Sequence, residues 1–136
     1  MRILIDTNVL ISAFVFSGKT GKLFELLFDG DHELMISEYV DKEFKAKLYQ
    51  KWEDKAETVY SLYRSLPFKF CCSSPEILGN LRDKKDIPVL SDAIFNKADI
   101  ILSGDRDFLE AELDHPQIFS PSLLYDYLIS LTIHNS

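Results

Sequence analysis

Cysteine is scarce in this chain: Cys71 and Cys72 are its two thiols, and they are adjacent. Neighbouring positions do not readily meet disulfide geometry. Without a gap between them and further ligands they do not make a zinc knuckle either. The fold is therefore expected to form without covalent staples, as a reduced protein of the cytoplasm. Long apolar runs are missing too. The stretch Val9 to Phe16 is broken by Ser12 and follows Asp6, so neither a membrane span nor a cleavable leader is expected. Gly18-Lys-Thr-Gly lacks the upstream glycine and the strand that a phosphate-cradling P-loop needs. Histidine is rare as well, and His32, His115 and His134 fall in expected loops or the tail, where they read as surface residues.

Basic residues are outnumbered, 15 Lys and Arg against 22 Asp and Glu, for a net charge of −7. That balance argues against a protein held to nucleic acid by a broad basic face. It leaves room for a nucleic-acid enzyme, because carboxylates that gather around divalent cations count as negative until the cations bind. The surplus is local: nine acids lie between Asp83 and Asp114, against Lys84, Lys85, Lys97 and Arg106. What the chain has in quantity is core material, with 46% hydrophobic residues, ten Phe and six Tyr in 136 residues. Disorder is excluded by that content, and a domain of this size buries about two thirds of its unfolded surface.

Apolar runs and helical periods alternate along the chain. Arg2-Ile-Leu-Ile, Glu33 to Ile36, Phe68 to Cys72, Ile100-Ile-Leu and Gln117 to Phe119 read as short buried strands. Between them, helical stretches are expected from Asp6 to Phe14, through Leu23, Leu26 and Leu27 to Gly30, and along Val40, Phe44 and Leu48 behind an N-cap at Ser37. Others are expected from Trp52 to Leu66, from Pro88 to Lys97, over Phe108 to Leu113, and from Ser120 onward. Ser17-Gly-Lys-Thr-Gly reads as a turn. The pattern predicts a three-layer α/β/α sandwich around a parallel sheet of four or five strands, one domain over 1–131 with a frayed tail at 132–136. Apolar surface at Leu23, Leu26 and Leu27 would suit a homodimer.

In such sheets a site forms beyond the carboxyl ends of the strands, where strand order reverses. Asp6 ends the first strand, Asp105 closely follows Ile100-Ile-Leu, and Asp86 precedes a helix. Each also has a bland reading: Asp6 and Asp105 as helix caps, Glu43 as an exposed acid paired with Lys47. Two acids ending neighbouring strands repel, and a divalent cation such as Mg²⁺ or Mn²⁺ is the direct remedy. Asp86 and Asp92 compete for a further place. If the Pro88 helix packs through Leu90, Ala93 and Ile94, Asp86 faces the sheet top and Asp92 faces solvent.

Ile-Leu-Ile-Asp6-Thr-Asn-Val-Leu-Ile-Ser, the Glu43 helix, Lys85-Asp86-Ile-Pro-Val-Leu and Ala98-Asp-Ile-Ile-Leu-Ser-Gly-Asp105-Arg-Asp-Phe together resemble the PIN-domain family, from Arg2 to about Leu128. Within it the chain resembles the small single-domain toxin components of toxin–antitoxin modules. The resemblance implies an RNA-cutting hydrolase dependent on Mg²⁺ or Mn²⁺, with Asp6, Glu43, Asp86 and Asp105 around the metal and an antitoxin as partner. Asn8 and Ser103 match supporting polar positions. Ile87-Pro88 departs from the pattern, which leaves Asp107 and Asp92 able to share the role of Asp86. Two cations can activate water and clamp the leaving oxygen, so the protein needs little beyond carboxylates. Substrate phosphates would meet basic residues at the rim, with Lys84, Lys85 and Arg106 joined by Lys19, Lys22 and Lys45 as candidates. Tyr39, Tyr49 and Trp52 could stack bases or pack in the core or a dimer surface.

A haloacid-dehalogenase-type phosphatase would want an aspartate where Asn8 stands. A receiver-like phosphoacceptor or a non-catalytic metal- or nucleic-acid-binding module remains the contrasting reading, though a mid-chain acceptor aspartate and a late lysine after a strand are not evident.

Overall fold

A computed structural model describes residues 1–81, 83–111 and 113–134. β1 (Arg2–Ile5) leads into α1 (Thr7–Ile11) and a π-helical turn at Ser12–Phe16, followed by α2 (Gly18–Asp29) and β2 (Glu33–Ser37). Next come α3 (Glu38–Lys51), α4 (Glu53–Ser65) and β3 (Lys69–Cys71). A 3₁₀ turn at Lys84–Asp86 opens α5 (Ile87–Phe95), and β4 (Ile100–Leu102), α6 (Arg106–Leu109), β5 (Gln117–Phe119) and α7 (Pro121–His134) complete the described chain. None of these helices is long and apolar enough to cross a membrane.

All five strands are parallel, in the order β3-β2-β1-β4-β5. The sheet carries helices on both faces, as the alternation of runs requires for strands apolar on both sides. Ile3, Leu4 and Ile5 of β1 and Ile101 and Leu102 of β4 are wholly buried. The period-four face of α3 (Val40, Phe44, Leu48) is likewise fully inside. Around it sits an aromatic cluster. The Phe44 and Tyr63 rings meet edge-on at 4.8 Å, and Phe14 lies against Phe24, Phe44, Tyr63 and Phe68 at 5.8–6.3 Å. The one polar atom this cluster brings inside, the Tyr63 hydroxyl, donates to Asp41 Oδ1 at 2.8 Å, as a buried phenol must.

Three expectations change. The turn is confined to Ser17 and Gly18, at φ 65° and 63°, and Gly18-Lys-Thr-Gly already opens α2. Leu23 and Leu27 are fully buried and spend their apolar surface on the core, while Leu26 is half-buried. The helix expected over Phe108 to Leu113 is a single turn, Arg106–Leu109, capped by Asp105. α7 carries the chain through Thr132 and Ile133 to His134, and the last two residues of the expected tail lie outside the described residues.

Candidate active site

Chain order reverses between β1 and β4, the two central strands, so the crevice at their carboxyl ends is where a parallel sheet of this type leaves room for a ligand. Their register pairs Ile5 with Leu102, which sets the next residues, Asp6 and Ser103, side by side. The Asp6 amide extends the ladder to Leu102 O at 3.0 Å. Its Oδ1 accepts from Thr7 N at 2.8 Å and its Oδ2 from Ser103 Oγ at 2.8 Å. Asp6 is thus both the cap of α1 and a carboxylate held at the sheet top, and it is 7% exposed. Ser103 Oγ in turn accepts from Asp105 N at 3.0 Å, and Asp105 Oδ1 caps α6 by accepting from Asp107 N at 2.8 Å.

A second group of acids closes on this pair. One oxygen each from Asp83, Asp86, Asp105 and Asp107 lies within 4.8 Å of the others. Asp83 Oδ1 caps the 3₁₀ turn by accepting from Lys85 N at 3.0 Å. Asp86 sits at the head of α5, buried, and among the described residues its Oδ2 has no hydrogen-bond partner. Half-buried Glu43, on α3, receives the Tyr39 hydroxyl at 3.4 Å. The structure therefore gathers Asp6, Glu43, Asp86 and Asp105 at one end of the sheet and adds Asp83 to them. Only the local acidic surplus, which begins at Asp83, could have pointed to it.

The electrostatics follow from the crowding. Burial raises Asp6 above the ordinary carboxylate value, its bonds from Ser103 and Thr7 pull it down, and the Glu43 and Asp105 charges push it up again. Asp86 is pushed up to about 7, first by burial, then by the charges of Asp105 and Asp6. Tyr39 is raised by burial and then by the Glu43 charge. Oxygen donors this crowded, with a buried carboxylate oxygen unpartnered among the described residues, suit a hard divalent cation.

The model of the PIN domain matches residues 2–107, which include every one of these acids. The chain belongs to the PIN-domain family. Its fold is similar to that in the crystal structure of VapBC2 from Rickettsia felis bound to a DNA fragment from their promoter. The TM-score is 0.68 at 16% identity, over 88% of this chain and 98% of that one. No curated protein matches.

In this PIN domain Asp92 departs from its expected place. It is not exposed: it is 2% accessible, and its carboxylate accepts from Ser73 Oγ at 3.0 Å and Ser74 N at 2.7 Å. The reason lies in the loop after β3, whose sequence gave no sign of crossing α5. One residue earlier, Ser91 Oγ accepts from Leu78 N at 2.8 Å and donates to Leu78 O at 3.0 Å. Gly79, at φ 85°, lets the backbone settle on α5, since a Cβ there would fall 2.8 Å from Leu90 Cδ2. At the rim, Asn8 is exposed and receives Lys47 Nζ at 3.4 Å, so Lys47 serves Asn8 and Tyr39 serves Glu43. Lys84, Lys85 and Arg106 are exposed. Lys19 is withdrawn to α7, against Ser122, Asp126 and the Tyr125 ring, and Lys45 lies over the Tyr60 ring.

Two outcomes are expected. Without divalent cations, folded Asp86 keeps a proton up to about pH 7 that the unfolded chain releases near pH 4. Stability from urea unfolding should therefore fall as pH rises through that window, and Asp86→Asn should flatten the fall. A profile unchanged by the substitution would place Asp86 in water. Asp92→Ala should cost about 1–3 kcal/mol in the same assay, through its two orphaned partners. A loss under about 0.5 kcal/mol, the size of an ordinary surface change, would show the loop clip to be idle.

Proposed function

We propose that this PIN domain hydrolyses phosphodiester bonds of RNA with Mg²⁺ or Mn²⁺, as the toxin of a toxin–antitoxin pair. One observation carries the reading: among the described residues buried Asp86 Oδ2 lacks a partner, amid carboxylate oxygens within 4.8 Å of one another. A buried anion kept in that state costs several kcal/mol unless something neutralises it, and a hard cation does so without adding protein. Asp6, Asp86 and Asp105 would hold it, with Glu43, Asp83 and Asp107 within reach of the same charge. Bound there, a divalent ion supplies charge neutralisation and water activation for phosphodiester hydrolysis.

The chain's own part is positioning. Ser103 fixes Asp6 and, through the Asp105 amide, the turn that presents Asp105. Tyr39 steadies Glu43. Lys84, Lys85 and Arg106 flank the acids in sequence and are free to meet phosphates of a strand lying across them. Asn8, tethered by Lys47, is placed to hold water or substrate beside Asp6. The similarity in fold to VapBC2, solved as an assembly with promoter DNA, supports a cognate antitoxin as the protein partner and the cytoplasm as the place where the two meet. A homodimer through Leu23, Leu26 and Leu27 has no such support.

Cleavage of single-stranded RNA in Mg²⁺ or Mn²⁺, abolished by EDTA, is the test. Asp86→Ala should lower kcat at least about a hundredfold, or roughly 3 kcal/mol of transition-state stabilisation. Wild-type turnover in that variant removes Asp86 from the site, and labelling by a small phosphodonor without RNA cleavage favours the receiver-like reading. Independently of activity, Mn²⁺ should raise Tm in a concentration-dependent way, and Asp105→Asn should shrink that rise. An equal rise in the variant means the cation binds elsewhere.

A further inference from the structure

Beside the acids lies a groove of about 400 Å³ between the start of α3, the loop after β3 and the head of α5. Its walls are mostly apolar, with Tyr39, Pro75, Ile77, Ile87 and Pro88, and its two exposed charges are Lys84 and Glu76. We propose that this groove seats one unstacked nucleobase of a single-stranded RNA, stacked on Tyr39 and adjoining the bond to be cut. The proposal rests on the nuclease reading above and adds to it where the substrate's base goes.

Five observations favour a base over other occupants. The Tyr39 ring lines the groove while its hydroxyl touches Glu43 at 3.4 Å, so a group on that ring is next door to the acids. Tyr39 is half-buried against the core, and among the described residues no second ring packs on it. The groove is built rather than incidental: Asp92 holds Ser73 and Ser74, and Ser91 holds Leu78, so the intervening loop is clipped at both ends. Ile77 is thereby kept 78% exposed, a large apolar side chain held toward water. Its volume falls within the ~300–1,000 Å³ of small-ligand sites. Finally, Lys84 sits between Asp83 and Asp86 in sequence, so a phosphate attached to the seated base meets a cation on the side facing the acids. An apolar side chain from a protein would use the same walls but would bring nothing for Lys84.

The interior polar groups are already spent. Asp92 accepts from Ser73 and Ser74, Ser91 bonds both sides of Leu78, and Ser74 Oγ donates to Glu76 O at 2.6 Å. The seat is therefore blind to base identity and works by stacking, which every base can satisfy.

The test walks a single abasic site along a labelled single-stranded RNA and measures binding by anisotropy in Ca²⁺ and KM for cleavage in Mn²⁺. At one position the lesion should weaken binding about fivefold or more, while the four natural bases there stay within about threefold of each other. Tyr39→Ala should erase the penalty and Tyr39→Phe, which keeps the ring, should retain it. Lys84→Ala should weaken intact and abasic strands alike. RNA cleaved normally with no position-specific penalty, or a penalty that survives in Tyr39→Ala, overturns the seat and leaves the nuclease reading standing. No RNA binding and no cleavage overturn both.

Discussion

Asp6 leaves the central strand at a place water hardly reaches, and the negative charge it carries has to be held by whatever else arrives there. Two protein groups do so, the Thr7 amide and the Ser103 hydroxyl, each at 2.8 Å. Both are consequences of the parallel register: Thr7 because α1 must start where β1 stops, Ser103 because β4 pairs with β1 and ends level with it. The same hydroxyl accepts from the Asp105 amide and so sets the next turn. One buried carboxylate thus orders the ends of both central strands and the start of two helices.

That arrangement satisfies Asp6 but not its neighbours. Asp83, Asp86, Asp105 and Asp107 converge to within 4.8 Å, and among the described residues Asp86 retains an unused buried oxygen. A protein selected for stability alone would have replaced Asp86 by an apolar or neutral residue, since like charges this close are destabilising and burial adds to the cost. Persistent local conflict in an otherwise consistent fold marks function. Elsewhere among the described residues the conflicts are slight, with Arg2 Nε and Thr7 Oγ1 buried and unpartnered. The strands are apolar on both faces, helices start at Asp6, Ser37 and Asp105 with side-chain caps, and the aromatic cluster has its one buried hydroxyl satisfied.

Much of this was legible in the sequence because the signals are local. Uninterrupted Ile and Leu runs give buried parallel strands, and an acid straight after such a run lies at a strand end whatever the rest of the fold does. The period of Val40, Phe44 and Leu48 fixed the buried face of α3 and with it the flank on which Glu43 stands. Asp92 was misplaced because its environment is not local. Helical periodicity on α5 says only that Asp92 is off the Leu90 and Ala93 face, and its burial is supplied by Ser73 and Ser74, 19 and 18 residues away, in a loop with no period at all. The leucines of α2 failed in the opposite sense: an amphipathic stripe shows that a face is covered, without saying whether by the same chain or another. Ser17-Gly-Lys-Thr-Gly read as a turn by composition, yet Ser17 and Gly18 alone take the positive φ, and the helix is under way by Lys19.

α5 is where the two kinds of order meet. Its first residues present Asp86 to the acids, and little more than a turn later Ser91 and Asp92 grip the loop that forms one wall of the neighbouring groove. A helix is stiff over that distance, so the acid and the loop cannot be displaced independently. On the opposite wall, α3 repeats the arrangement, with Tyr39 on the groove and Glu43 one turn on at the acids, joined by their own hydrogen bond. Ser73 closes the circuit: its hydroxyl accepts from the Tyr39 amide at 2.9 Å and donates to Asp92. Two helices from opposite sides of the crevice are therefore held at one spacing by a single serine, and any change that loosens that serine is transmitted to the acids and to the groove together.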